Sequence, residues 1–155
     1  MTTVNLFVDM DGVLADFDRH HEAVFGFRSC KLADNVDWKA VRAVPNFYLN
    51  IPPMADLETL WSRIERHNPV VLTGVPSSVA EAPDNKRAWV RKNLGDHVEV
   101  RCVRSKEKYL HCTGHNSILI DDWEKYRHLW ENAGGRWITH INAAETAKQL
   151  DAMNL

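Results

Sequence analysis

Four carboxylates and a few lysines stand where this chain could do chemistry. The run Val4-Asn5-Leu6-Phe7-Val8 is rich in β-formers and ends abruptly in Asp9-Met10-Asp11-Gly12. A strand buried on both faces reads this way. Asp9 and Asp11 therefore fall at a strand's C-terminal end, where open α/β sheets bind ligands. Aspartates so close repel and desolvate one another, and a stable fold tolerates them mainly where a cation or a substrate uses them. A second apolar run, Ile118-Leu119-Ile120, closes on Asp121-Asp122. Adjacent aspartates at a buried strand end are uncommon without a metal, and Mg²⁺ takes hard oxygen ligands of this kind. A third run, Val70-Val71-Leu72, ends in Thr73-Gly74, which offers a hydroxyl and close-approaching backbone N–H groups to phosphate oxygens. Lys86, Lys106 and Lys108 compete as the cation beside such a phosphate.

The elements that must position these residues follow from the pattern. Strands are expected at 5–9, 69–73, 98–103, 117–121 and 136–140, and helices at 56–66, 82–94, 123–132 and 143–153. In the first of these helices Leu57, Leu60, Trp61 and Ile64 recur at helical spacing, giving one face to pack on a sheet. Asp84-Asn85 and Asn142 are suitable N-caps, and Gly95 and Gly134 suitable stops. Strands alternating with helices predict a Rossmann-like three-layer α/β/α fold around a central parallel sheet. Residues 18 to about 50 break the rhythm, holding Phe25, Phe27, Trp38, Phe47 and Tyr48 without a clear strand. Inserted just after the first strand, they are expected to form a small helical cap over a core made of 1–17 and 51–155.

Composition sets the outer limits. The 155 residues allow one domain with a small insertion. A net charge of −2 argues against duplex nucleic acid or an anionic membrane as partner. No apolar stretch approaches the roughly 20 residues of a membrane-spanning helix. Met1-Thr2-Thr3 lead straight into the first strand, so no signal peptide is expected. Cys30, Cys102 and Cys112 form no C-x-x-C pair and read as free thiols in a reducing, cytoplasmic setting. His111 and His115 flank Cys112, but Gly114 argues for a loop there and against a metal site.

The string Asp9-Met10-Asp11-Gly12-Val13-Leu14 resembles the nucleophile motif of the haloacid dehalogenase (HAD) superfamily of phosphohydrolases. With Ala15-Asp16-Phe17 it is most similar to the 5′(3′)-deoxyribonucleotidases of that superfamily. The resemblance implies that Asp9 attacks phosphorus to form an aspartyl-phosphate, and that Asp11 protonates the leaving oxygen and then activates water. It implies a phosphate site at Thr73 and Gly74, although Gly74 departs from the Thr-Ser of many relatives and withholds a second hydroxyl. Arg104-Ser105-Lys106 matches the family's Arg-x-Lys, so Lys106 is the expected phosphate-binding cation with Arg104 in support. Lys86-Arg87-Ala88-Trp89-Val90 resembles the family's lysine-tryptophan helix, and Lys86 is expected to be a surface charge. The implied metal is Mg²⁺, held by Asp9, the Asp11 carbonyl and one of the final pair. Asp122 is expected to coordinate directly, with Asp121 orienting it or pairing with Lys106. Phe17 matches an aromatic of the family's nucleobase slot, and Asn46-Phe47-Tyr48 resembles its Asn-Phe-Phe stretch. The expected substrate is thus a small phosphomonoester, most simply a deoxyribonucleoside monophosphate. The rival substrates are a sugar phosphate and a polynucleotide 3′-phosphate, and the rival class is a non-catalytic phosphate-binding module.

Overall fold

Five short strands carry the molecule, and all run parallel. The computed structural model describes residues 3–155. The strands are β1 (Asn5–Val8), β2 (Val70–Gly74), β3 (Val100–Val103), β4 (Ser117–Asp121) and β5 (Arg136–Thr139), in the order β3-β2-β1-β4-β5. The order reverses between β1 and β4, so the topological switch point, where such sheets place ligands, lies between the ends that carry Asp9 and Asp121.

Alternation along the strands divides the core. Leu6, Val8, Ile118 and Ile120 point to one face, where Leu60 and Ile64 of α3 (Leu57–Ile64), Trp89 of α4 (Ala82–Asn93) and Leu150 of α6 (Ala143–Ala152) bury them. Phe7, Leu72, Leu119 and Trp137 point to the other, where Trp130 of α5 (Arg127–Asn132) meets Phe7 edge-on at 5.4 Å. The three layers are as expected, but the second is thin. It consists of the six-residue α5 and 3₁₀ turns at Ser105–His111 and Glu124–Tyr126. The helix expected at 123–132 therefore opens as a 3₁₀ turn.

Two local details differ from the pattern reading. The α4 helix starts two residues before Asp84, at Ala82, because Pro83 suits a first turn whose N–H groups have no partner in any case. Asn85 is then buried inside the helix and caps nothing. Asn142 does cap α6, its side chain accepting from the Glu145 N–H at 2.9 Å.

Segment 18–50 leaves and returns through a narrow neck. The Asp16 N–H donates to the Pro52 carbonyl at 2.8 Å, and Ala15 bridges Pro53. Within it, α1 (Phe17–Phe25) is capped by Asp16 and α2 (Trp38–Arg42) by Asp37, with irregular chain between them. Val41, Phe47 and Tyr48 are buried in the same cluster as the sheet face, so the segment has no separate core.

Candidate active site

The C-terminal ends of β1, β2 and β4 converge on a cleft of about 300 Å³. Its centre is an ion cluster built around Lys108. The Lys108 ammonium donates to Asp9 Oδ1 at 2.9 Å and to Asp121 Oδ2 at 2.7 Å, with all three residues buried. Asp121 is held from the other side by the Trp123 N–H, 2.9 Å from its Oδ1.

A second ammonium serves the neighbouring strand ends. Lys86, wholly buried, donates to Asp11 Oδ2 at 2.8 Å, Thr73 Oγ1 at 2.8 Å and the Gly74 carbonyl at 2.7 Å. It also lies 4.7 Å from the centre of the Tyr48 ring. Asp11 Oδ1, the carboxylate's other oxygen, is buried with no protein partner. A third ammonium, Lys31 of segment 18–50, donates to both oxygens of Asp122 at 2.8 and 3.0 Å.

These charges set the protonation states. Burial works to raise the pKa of Asp9, but Lys108, Lys31 and Lys86 outweigh it and leave Asp9 below the usual carboxylate value. Asp9 is therefore held ionised, the form in which a carboxylate can attack or ligate. Burial, reinforced by the charge of Asp9, raises Asp121. Asp122 is pushed up to about 7 by burial and by Asp9 and Asp121, against the pull of Lys31. Burial alone would lower Lys108, yet Asp9 and Asp121 more than offset it and hold the ammonium charged.

The structure brings Asp9, Asp11, Thr73, Gly74, Asp121 and Asp122 together, as their strand-end positions imply. It assigns the lysines differently. Lys106 lies exposed at the rim of the cleft and bonds neither Asp9 nor Asp121, and Arg104 is exposed outside the lining. The reason is the 3₁₀ turn after β3, whose three-residue period puts Ser105 and Lys108 on one side. Lys86 is not a surface charge. It shares the buried face of α4 with Trp89 and Val90, three and four residues on, a spacing visible in the sequence. Phe47 lies outside the lining, while Phe17 and Tyr48 belong to it but are buried against one another and Phe47. Trp38 lines the cleft with more than a third of its surface free, and Tyr109, Trp123 and Tyr126 also line it.

Two glycines make the closeness possible. Gly12 has φ of +84°, and a Cβ there would overlap the Asp122 carboxylate. At Gly74 a Cβ would overlap Ser105 Oγ, so the space of a side chain at 74 is filled by a hydroxyl from the neighbouring loop.

The residues fit a magnesium ion. One oxygen from each of Asp9, Asp121 and Asp122 lies within 4.8 Å of the others. Octahedral Mg²⁺ with bonds of about 2.1 Å spaces its ligands at roughly 3 to 4.2 Å, within reach of small side-chain movements. This is the one such grouping among the described residues, and none forms at His111, Cys112 and His115. No helix among the described residues is long and apolar enough to cross a membrane.

No protein-family model matches the chain, and no curated protein does. Solved structures share its fold. A hydrolase from Streptococcus pneumoniae TIGR4 is 14% identical with a TM-score of 0.55, over 97% of this chain and 100% of that one. A HAD-superfamily hydrolase from Ehrlichia chaffeensis is 11% identical with a TM-score of 0.54, over the whole of both chains. The L-2-haloacid dehalogenase from Xanthobacter autotrophicus is 14% identical with a TM-score of 0.57, over 98% of this chain and 83% of that one. The fold is thus the α/β fold of HAD hydrolases.

Proposed function

We propose that the protein is a Mg²⁺-dependent phosphomonoesterase that works through an aspartyl-phosphate on Asp9. The observation that carries this reading is the buried Lys108 joining Asp9 to Asp121 at the switch point, with Asp11 two residues further on. A simple dehalogenation releases halide and needs no second acid, whereas an ester needs a proton on its leaving oxygen.

In this reading Asp9 attacks phosphorus as the P–O bond to the leaving group breaks. Asp11, whose Oδ1 has no protein partner, passes a proton to the leaving oxygen. As a carboxylate it then takes a proton from water, which attacks the phosphorus of the aspartyl-phosphate and returns Asp9. Lys108, the Thr73 hydroxyl, the Ser105 hydroxyl and backbone N–H groups surround the phosphoryl oxygens. Asp9, Asp121 and Asp122 would hold Mg²⁺, which supplies further neutralisation of phosphoryl charge.

The substrate we favour is a deoxyribonucleoside monophosphate, with segment 18–50 acting as the cap. The aromatic lining by Trp38, Trp123 and Tyr126 supports a flat leaving group. The tight packing of Phe17, Phe47 and Tyr48 favours a second reading, a small monoester without a base. Phosphate release from a panel of nucleotides and sugar phosphates, with Mg²⁺ and with chelator, tests both. Asp9→Asn should lose turnover and the ability to trap beryllofluoride. Full activity in excess chelator, or substantial turnover by pure Asp9→Asn enzyme, would refute the mechanism.

A further inference from the structure

Among the residues of segment 18–50 that line the cleft, Lys31 is the only cation. Its ammonium grips both oxygens of Asp122 and lies 5.7 Å from the centre of the Trp123 ring. Asp122 is also one of the three carboxylates that fit a divalent cation. The same oxygens cannot serve both partners well, because an ammonium beside a dication is repelled. The Lys31–Asp122 pair is about a third exposed on the lysine side, and ion pairs of that kind are weak. Lys31 must therefore give way to the cation. The nearby Trp123 face keeps the freed ammonium at the cleft mouth, where the next anion to arrive is the substrate.

We propose that Lys31 is the substrate-recognition residue of this segment. It exchanges Asp122 for the phosphoryl oxygens of the substrate when a divalent cation takes up Asp9, Asp121 and Asp122. The inference rests on the phosphomonoesterase reading above. It ties cation loading to recognition, since an ammonium held against both oxygens of Asp122 is drawn away from the substrate.

The test uses the full chain and two readouts. Calorimetric titration with Mn²⁺ alone, no substrate present, should show Lys31→Met and Lys31→Gln binding the ion roughly 3- to 10-fold more tightly than wild type, because a competing charge is gone. With Mn²⁺ saturating, the same variants should raise KM for the best panel substrate by about tenfold while kcat moves little. Lys31→Arg, which keeps the charge, should return both values toward wild type. Unchanged or weaker Mn²⁺ binding in the neutral variants, an unmoved KM, or an Arg variant that behaves like the Met variant overturns the proposal. A wild-type protein that binds no Mn²⁺ or cleaves no monoester overturns the phosphomonoesterase reading itself. Normal wild-type behaviour beside indifferent Lys31 variants overturns only the exchange.

Discussion

Lys108 and Asp9 meet at 2.9 Å across 99 residues of chain, both buried. The contact ties the loop after β3 to the end of β1 and makes the site depend on the whole sheet being formed. Lys108→Met would leave Asp9 and Asp121 facing each other without a cation. Breaking a buried pair in this way costs about 3–5 kcal/mol. Melting temperature should fall markedly, Mg²⁺ should recover more of it than in wild type, and turnover should be nearly lost. Lys106→Met should leave stability unchanged and reduce kcat/KM only a few-fold. If the two variants lose activity equally, the assignment of the phosphate cation to Lys108 fails.

Asp11 is tested by the leaving group. General acid catalysis contributes roughly 10²–10⁴-fold, and an ester whose alcohol is already a good leaving group has little use for it. Asp11→Asn should therefore damage hydrolysis of alkyl phosphates far more than that of p-nitrophenyl phosphate. A uniform loss across the series would show that Asp11 supports the site without passing a proton.

The aromatic residues divide into packing and lining. Phe17 and Tyr48 are buried, and truncating a buried aromatic costs about 3–5 kcal/mol. Phe17→Ala and Tyr48→Ala should thus lower the melting temperature before they say anything about substrates. Trp38→Ala should leave the melting temperature almost level. If a base stacks on Trp38, kcat/KM for nucleotides should fall roughly 5- to 150-fold, the worth of one stacking partner at about 1–3 kcal/mol. Small sugar phosphates should be spared, and equal losses on both would exclude stacking there.

His140 gives the fold a dependence on acid. Its Nδ1 pairs with Thr146 Oγ1 at 2.7 Å, and its Nε2 is buried without a protein partner. Burial holds its pKa below the ordinary imidazole value of 6.5, against the opposing charges of Asp56 and Asp9. Below that value the unfolded chain takes up a proton that the folded one still refuses, so stability drops as pH falls. His140→Gln should flatten this part of the melting curve between about pH 7 and pH 5. Parallel curves for variant and wild type would remove His140 from the account.

The sheet was legible because strands buried on both faces are written as continuous apolar runs, and three such runs end in chemically useful residues. Asp9, Asp11, Thr73 and the Asp121-Asp122 pair could be placed from that alone. The lysines could not, because their positions depend on helix type and helix face. The stretch after β3 turns every three residues, which selects Lys108 over Lys106. Lys86 is drawn inward by Trp89 and Val90 on the same face of α4. Lys31 sits in irregular chain with no period to read, and only the folded molecule brings it to Asp122. The aromatics of 18–50 announced a cluster, but the sequence does not say which rings pack and which remain free.

Gly12 carries a consequence for how this protein can change. Its bare α-carbon lies against the Asp122 carboxylate, in a backbone conformation other residues adopt at a cost. Neutral drift at residue 12 is closed off, since even one methyl group would evict an acidic side chain from the corner. A saturation library selected for turnover should return glycine there almost alone, while the exposed Lys106, three residues past the end of β3, tolerates wide replacement. Variation in what the protein acts upon must therefore enter through the rim and segment 18–50, leaving the β1 loop as its fixed historical record.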